Sequence, residues 1–184
     1  MNRPIIRQLI VCTFCVPLIL GSCKPSLYQE LGEHISIIVS KDGTGDLMRV
    51  KEAISVAKDH SHETTLIFIR NGVYHEKIVI PNEKTHITFF GEDVDSTILT
   101  FDDRSVYTRE LNTFTSHSVR VDASDVRFYN LTIQNTARGS QAVALHGNGD
   151  RQMFVHCRIL GWQGTYYSDM RSRLVAGSIH WETM

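Results

Sequence analysis

"VRFYNLTIQN" at residues 126–135 and "MFVHCRILGW" at residues 153–162 repeat one theme about 25 residues apart. In each, apolar residues alternate with polar ones and the run ends in a polar tip; Val126, Phe128, Leu131 and Ile133 carry the first alternation. A period of two sends successive side chains to opposite faces of a strand. Outward from this pair, "TLIFIRNGVY" (65–74) and "EKIVIPNE" (76–83) read as strand, turn, strand, and "THITFFGED" (85–93) with "STILTF" (96–101) repeats the idea. Short strands separated by Gly, Asn and Asp at such a period predict stacked coils. The fold class is therefore all-β, a parallel β-helix in which each coil buries its inward side chains on the next. A β-sandwich is the competing all-β reading. Its hairpin signal, Asn-Gly between matched alternating runs, occurs once, at Asn71-Gly72.

The N-terminal side of the repeats differs. A β-branched run from Ile35 to Val39 reads as a buried strand, and "KDGTGD" (41–46) is turn chemistry. "LMRVKEAISVAK" (47–58) then spaces Leu47, Val50, Ala53, Ile54 and Ala57 by three and four, which predicts a short amphipathic helix with Asp46 as N-cap. A helix there suits the role of closing one end of the coil stack.

The chain of 184 residues is long enough for one domain with a substantial core. Its 19 basic and 20 acidic residues nearly balance, and no basic run points to nucleic acid. "MNRPIIRQLIVCTFCVPLILGSC" (1–23) has Arg3 and Arg7, an apolar run from Leu9 to Leu20 and small residues before Cys23. This is the pattern of an export signal, and the run is shorter than the roughly 20 residues a membrane span needs. "LGSC" resembles the bacterial lipoprotein signal, with Cys23 as lipid acceptor and residues 24–34 as linker. The expected location is the periplasm or cell surface of a bacterium, membrane-anchored or else secreted. Cys12 and Cys15 fall in the leader, so Cys157, alternating with apolar residues in "MFVHCRI", is left as a small core residue. The nine histidines scatter without metal-ligand spacing, and no metal is expected.

Seven segments occur in the order found in pectin methylesterases: "VSKDGTGD" (39–46), "GVYHEKI" (72–78), "ITFFGEDVDSTIL" (87–99), "LTIQNTA" (131–137), "QAVAL" (141–145), "GDR" (149–151) and "GWQGTYY" (161–167). The chain resembles that family from residue 35 to residue 173. The resemblance implies a right-handed parallel β-helix of the pectin lyase-like kind, with a polysaccharide groove on its outer face. It further implies hydrolysis of the methyl esters of homogalacturonan to pectate and methanol, by a monomer without metal or cofactor. In the implied mechanism one aspartate attacks the ester carbonyl, a second serves as general acid and then base, and two glutamine amides hold the oxyanion. Carried over, the first glutamine is Gln141 and the second Gln163. Thr113, from the family's T-F element, would touch substrate, and Trp162, Tyr166 and Tyr167 beside the second glutamine offer faces for sugar rings.

The chain departs from the family pattern at two places. The general acid/base aspartate follows the second glutamine, and here that position is Gly164. After Arg173 the alternation is lost, and the family's nucleophile segment and its orienting arginine find no counterpart in residues 174–184. The expectation is a C-terminally truncated β-helix with impaired pectinesterase activity; the alternatives are a pectin-binding surface lipoprotein without catalysis and a gene remnant. Gln134 and Asn135 read as bonds between coils, Asp150 and Arg151 as a structural pair at a coil corner, and Asp102-Asp103 as a solvated loop.

Overall fold

The computed structural model describes residues 35–106, 108–110, 112–168, 174–176 and 179–183, the backbone alone for 174–176, 179 and 181–183. The expected leader (1–23, with Cys23) and linker (24–34) lie outside the described residues.

Alternation produces three parallel sheets. The six-stranded sheet stacks β1 (Ile37–Val39), β2 (Thr65–Ile69), β5 (Ile87–Gly91), β8 (Arg127–Tyr129), β11 (Gln152–Val155) and β14 (Leu174–Ala176) in that order. The five-stranded sheet stacks β3 (Gly72–His75), β6 (Thr97–Phe101), β9 (Thr132–Asn135), β12 (Cys157–Gly161) and β15 (Ile179–Thr183). The four-stranded sheet holds β4 (Ile78–Ile80), β7 (Val119–Val121), β10 (Leu145–Gly147) and β13 (Tyr166–Ser168). The chain visits the three sheets in rotation and returns one strand further along, which makes a right-handed parallel β-helix. The sandwich alternative fails at its own signal: Asn71-Gly72 joins β2 to β3, strands of different sheets, so it is a coil corner and not a hairpin.

Register stacks like on like inside the helix. Ile67, Phe89, Phe128 and Phe154 are partners along the six-stranded sheet, and the three phenyl rings lie nearly parallel, 4.9 Å apart at each step. All three are buried, each burial being worth about 1.5–3 kcal/mol. Corners are tight because single residues take left-handed backbone: Asp125 and Arg151 before β8 and β11, Asn130 and His156 after them. These corner side chains pair along the stack. Arg151 forks onto Asp125 with bonds of 2.7 and 2.6 Å and also reaches Asp150, as expected for the Asp150–Arg151 corner.

The helix is shorter than its periodicity suggests and is capped differently. It spans α1 (Val50–Val56), and Val50, Ala53 and Ile54 are buried beside β1 and β4 at the N-terminal end of the stack. Asp46 does not cap it: its carboxylate accepts from the Ile38 N–H, tying the preceding turn to β1. The cap comes from Glu76, between β3 and β4, whose two oxygens accept from the N–H groups of Val50 and Lys51. At the other end, residues 174–184 were expected to be an off-family tail in which the alternation is lost. Within it, Leu174–Ala176 and Ile179–Thr183 form β14 and β15, which pair in parallel with β11 and β12.

Candidate active site

The connections of the β-helix are unequal. Passage from the six- to the five-stranded sheet takes a few residues, whereas passage from the five- to the four-stranded sheet runs through 102–118, 136–144 and 162–165. These three segments stack on one side of the molecule, and they carry Thr113, Gln141, Gln163 and Gly164. Loops need buried partners for their backbone groups if they are to hold a fixed shape. Asn135, fully buried at the end of β9, meets this need: its amide lies within hydrogen-bond distance of the carbonyls of Asp103 (2.9 Å), Ser116 (2.8 Å) and Val143 (3.0 Å). One side chain thus holds two of the three segments. Lys77 adds a clamp, donating to the Thr115 carbonyl at 2.6 Å and pairing with Asp103. Asp103 is accordingly engaged in loop structure, a correction to its reading as solvated; Asp102 remains exposed, 3.2 Å from His75.

Thr113 and Gln141 meet directly. The Thr113 hydroxyl donates to Oε1 of Gln141, so the carbonyl end of that amide is occupied and its NH2 remains as a donor. Gln163 arrives by backbone pairing. Ala142 and Trp162 form an antiparallel bridge, the Ala142 N–H donating to the Trp162 carbonyl at 2.9 Å. Gln141 and Gln163 each lie one residue from this bridge, so it brings the two segments that carry them together. The close approach requires Gly161: a Cβ there would stand 2.9 Å from the Ala142 carbonyl oxygen and 3.2 Å from the Thr165 Cα. Gln163 and Gly164 both take left-handed backbone, with φ of 49° and 66°, and both are exposed. A Cβ on Gly164 would meet no atom within 4 Å.

The aromatic residues divide by strand alternation. Tyr166, in register with Leu145, packs against the core, while Tyr167 points outward and is 36% exposed. Trp162 is half-buried at the bridge. Phe114, next to Thr113 and 53% exposed, was not singled out in the sequence; its ring meets Tyr167 edge to face at 5.2 Å. Beneath them lie two buried histidines that sequence spacing left as scatter. Nδ1 of His117 and Nδ1 of His146 approach the Phe114 carbonyl at 3.0 and 3.2 Å, and since that oxygen only accepts, both nitrogens carry hydrogen. Burial pushes the His117 imidazole down to about 4 and also lowers His146, so both rings are neutral near pH 7. They serve as a floor that fixes Phe114 and Tyr167. Gln134 faces away from the buried side of β9.

A coil stack that gathers two glutamines and outward aromatic faces on one set of loops defines a parallel β-helical protein with a candidate site on one side. The pectinesterase family model matches residues 36–176, and the chain belongs to the pectinesterase family. Among curated relatives it is 36% identical over 142 residues to probable pectinesterase 56 of Arabidopsis thaliana, covering 76% of this chain and 49% of that protein. It is 29% identical over 151 residues to pectinesterase 4 of the same plant, covering 78% and 26%. Among solved structures, pectin methylesterase from carrot superposes with a TM-score of 0.74 at 33% identity, over 79% of this chain and 45% of that one. A pectin methylesterase in complex with a hexasaccharide superposes at 0.65 with 25% identity, over 73% and 45%. The chain thus spans between about a quarter and about a half of the relatives it matches.

Proposed function

We propose that the protein engages methyl-esterified homogalacturonan and polarises the ester carbonyl between the amides of Gln141 and Gln163, hydrolysing it to pectate and methanol at a reduced rate. The observation that carries this reading is the Thr113–Gln141 hydrogen bond, which occupies the carbonyl end of that amide and leaves its NH2 without a partner among the described residues, one residue from the bridge that brings in the Gln163 segment. Water attacking the polarised carbonyl carbon turns the ester carbonyl oxygen into an oxyanion, and preset amide donors stabilise it without themselves reacting. Methoxide departs only with a proton. Gly164 has no ionisable group, so that proton comes from water, and general acid help worth about 10²–10⁴-fold is forgone. Trp162, Tyr167 and Phe114 offer apolar ring faces to the sugars. No cofactor takes part in this chemistry. The leader pattern and Cys23 support export and a lipid anchor, which would place the site where cell-wall polysaccharide is met.

The same glycine favours a second reading, a pectin-binding protein that releases no methanol. Affinity electrophoresis through a gel containing methyl-esterified homogalacturonan, with methanol assayed in parallel, separates the two. Retarded migration with slow methanol release, both weakened by Gln141→Ala, is expected. Retardation without methanol selects the binding reading, and a protein neither retarded nor active sinks both.

A further inference from the structure

The outer face of the six-stranded sheet carries an apolar row of its own. Ile38 on β1, Phe68 on β2, Phe90 on β5, Tyr129 on β8 and Val155 on β11 are partners in register. Their strand neighbours Ile67, Ile69, Phe89, Phe128 and Phe154 fill the core, so this second row turns away from it. The outer rings stack as the inner ones do, Phe68 on Phe90 at 6.5 Å and Phe90 on Tyr129 at 5.6 Å, with planes 12° and 9° apart. A continuous apolar strip on an outer face marks a surface that something covers.

Burial along the row shows where the cover lies. Phe90 has a ring on either side and is half-buried, whereas Phe68 has a ring on one side only and is 1% exposed. Packing within the row therefore does not account for Phe68. The one helix among the described residues, α1, packs beside β1 and β4 at the end of the stack. Residues 107 and 111 belong to the connection between the other two sheets, and 169–173 and 177–178 flank β14. That strand is four steps from β2, roughly 19 Å. The chain before Ile35 is adjacent instead: β1 begins this sheet, and the Ser36 N–H donates to the Leu66 carbonyl at 2.9 Å, so the chain enters the fold beside β2.

We propose that residues 24–34, "KPSLYQELGEH", dock across this outer row, with Leu27, Tyr28 and Leu31 against Phe68 and Phe90. Those three are the large apolar residues of an otherwise polar stretch. A stretch of that length reaches about 36 Å extended or about 16 Å as a helix, and the row from β1 to β8 takes three steps, roughly 14 Å. Arg127, exposed on the same outer face two residues before Tyr129, complements Glu30 and Glu33. In a three-sided coil the six-stranded sheet faces away from the connections between the other two sheets, which carry Gln141 and Gln163. The docked segment thus holds the chain before it, Cys23 included, behind the β-helix and leaves the candidate site unobstructed.

Proteolysis of the full chain by an endoproteinase that cuts after glutamate tests this. Cleavage after Glu30 and Glu33, followed by mass spectrometry, is compared with cleavage of a free peptide of residues 24–36. Docking should slow it in the chain by roughly tenfold to a hundredfold, because the protease meets only the opened fraction. Tyr28→Ser combined with Leu31→Ser, made in chain and peptide alike, should bring the two rates together. Phe90→Ser, on the outer face and not in the core, should do the same from the other side; should it fail to fold, the substitutions in the segment decide. Equal rates in the unaltered chain and peptide overturn the inference, and so does protection that the substituted segment retains. Protection lost on dilution, with a dimer seen by light scattering, gives the face to a second copy and overturns it. Protection that appears only with phosphatidylglycerol vesicles gives the face to a lipid surface and overturns it as well.

Discussion

The six-stranded sheet and the four-stranded sheet are built from the same repeat and do opposite work. In the first, corners are short and the inward row is phenylalanine on phenylalanine, so each coil is locked to the next by identical, fully buried surfaces. In the second, long connections precede every strand after β4, and the space beneath them is filled by Asn135, Ser116, Ser118, His117 and His146. Apolar stacking holds register without demanding particular partners. Buried polar groups demand particular partners, and in exchange fix loop shape. The comparison assigns apolar stacking to one face of the β-helix and the candidate site to the other.

The largest expected effect tests the stable face. Phe128 sits between Phe89 and Phe154, and Phe128→Ala should remove about 3–5 kcal/mol and expose two coils to one another across a cavity. Urea unfolding followed by circular dichroism would show it as a shifted midpoint or a chain unfolded without denaturant. A loss under 1 kcal/mol would mean that the stack is not what holds the coils.

The functional face should answer to pH instead. His117 is held neutral by burial, with its pKa at about 4 against an ordinary 6.5, so between these values the unfolded chain takes up a proton that the folded chain refuses. Stability is complete above pH 6.5 and falls as pH drops toward 4. At about 1.4 kcal/mol per unit the loss comes to about 3 kcal/mol, with His146 acting in the same direction. Carboxylates held low by their partners, Asp42 and Asp125, weaken the fold only below the ordinary carboxylate range, so the two windows separate. Melting temperatures across pH 7 to 4 should decline and the decline should shrink in His117→Gln; an equal slope in both proteins removes His117 as the cause.

What could be read in advance follows the same division. The strand alternation is a local signal, so the coil stack, the core position of Cys157 and the Asp150–Arg151 corner were legible without any structure. The cap of α1 was not, because its carboxylate comes from Glu76, 26 residues from Val50, while a plausible local candidate stood at Asp46. Family motifs brought Thr113, Gln141 and Gln163 forward, yet nothing in them shows that a hydroxyl occupies one end of the Gln141 amide. Phe114, His117 and His146 went unnoticed since only the stacking of loops makes them neighbours. Residues 174–176 and 179–183 lack clean alternation, and backbone pairing to β11 and β12 carries them into the stack.

Two glycines three residues apart sharpen the contrast at its finest scale. Gly161 is demanded by crowding, since any Cβ would strike the backbone that carries Gln141. Gly164 is demanded by nothing but its backbone angle, and aspartate visits the left-handed region more readily than most residues. Gly164→Asp should therefore cost about 1–2 kcal/mol in urea unfolding. It should also place a carboxyl beside the Gln163 amide, where a departing methoxide can take its proton, so methanol release from methyl-esterified homogalacturonan should rise above that of the unaltered chain. A stability loss of several kcal/mol would show that the turn, not the chemistry, selects glycine at 164. A stable variant with no gain in methanol would show that proton delivery is not the step that limits this site.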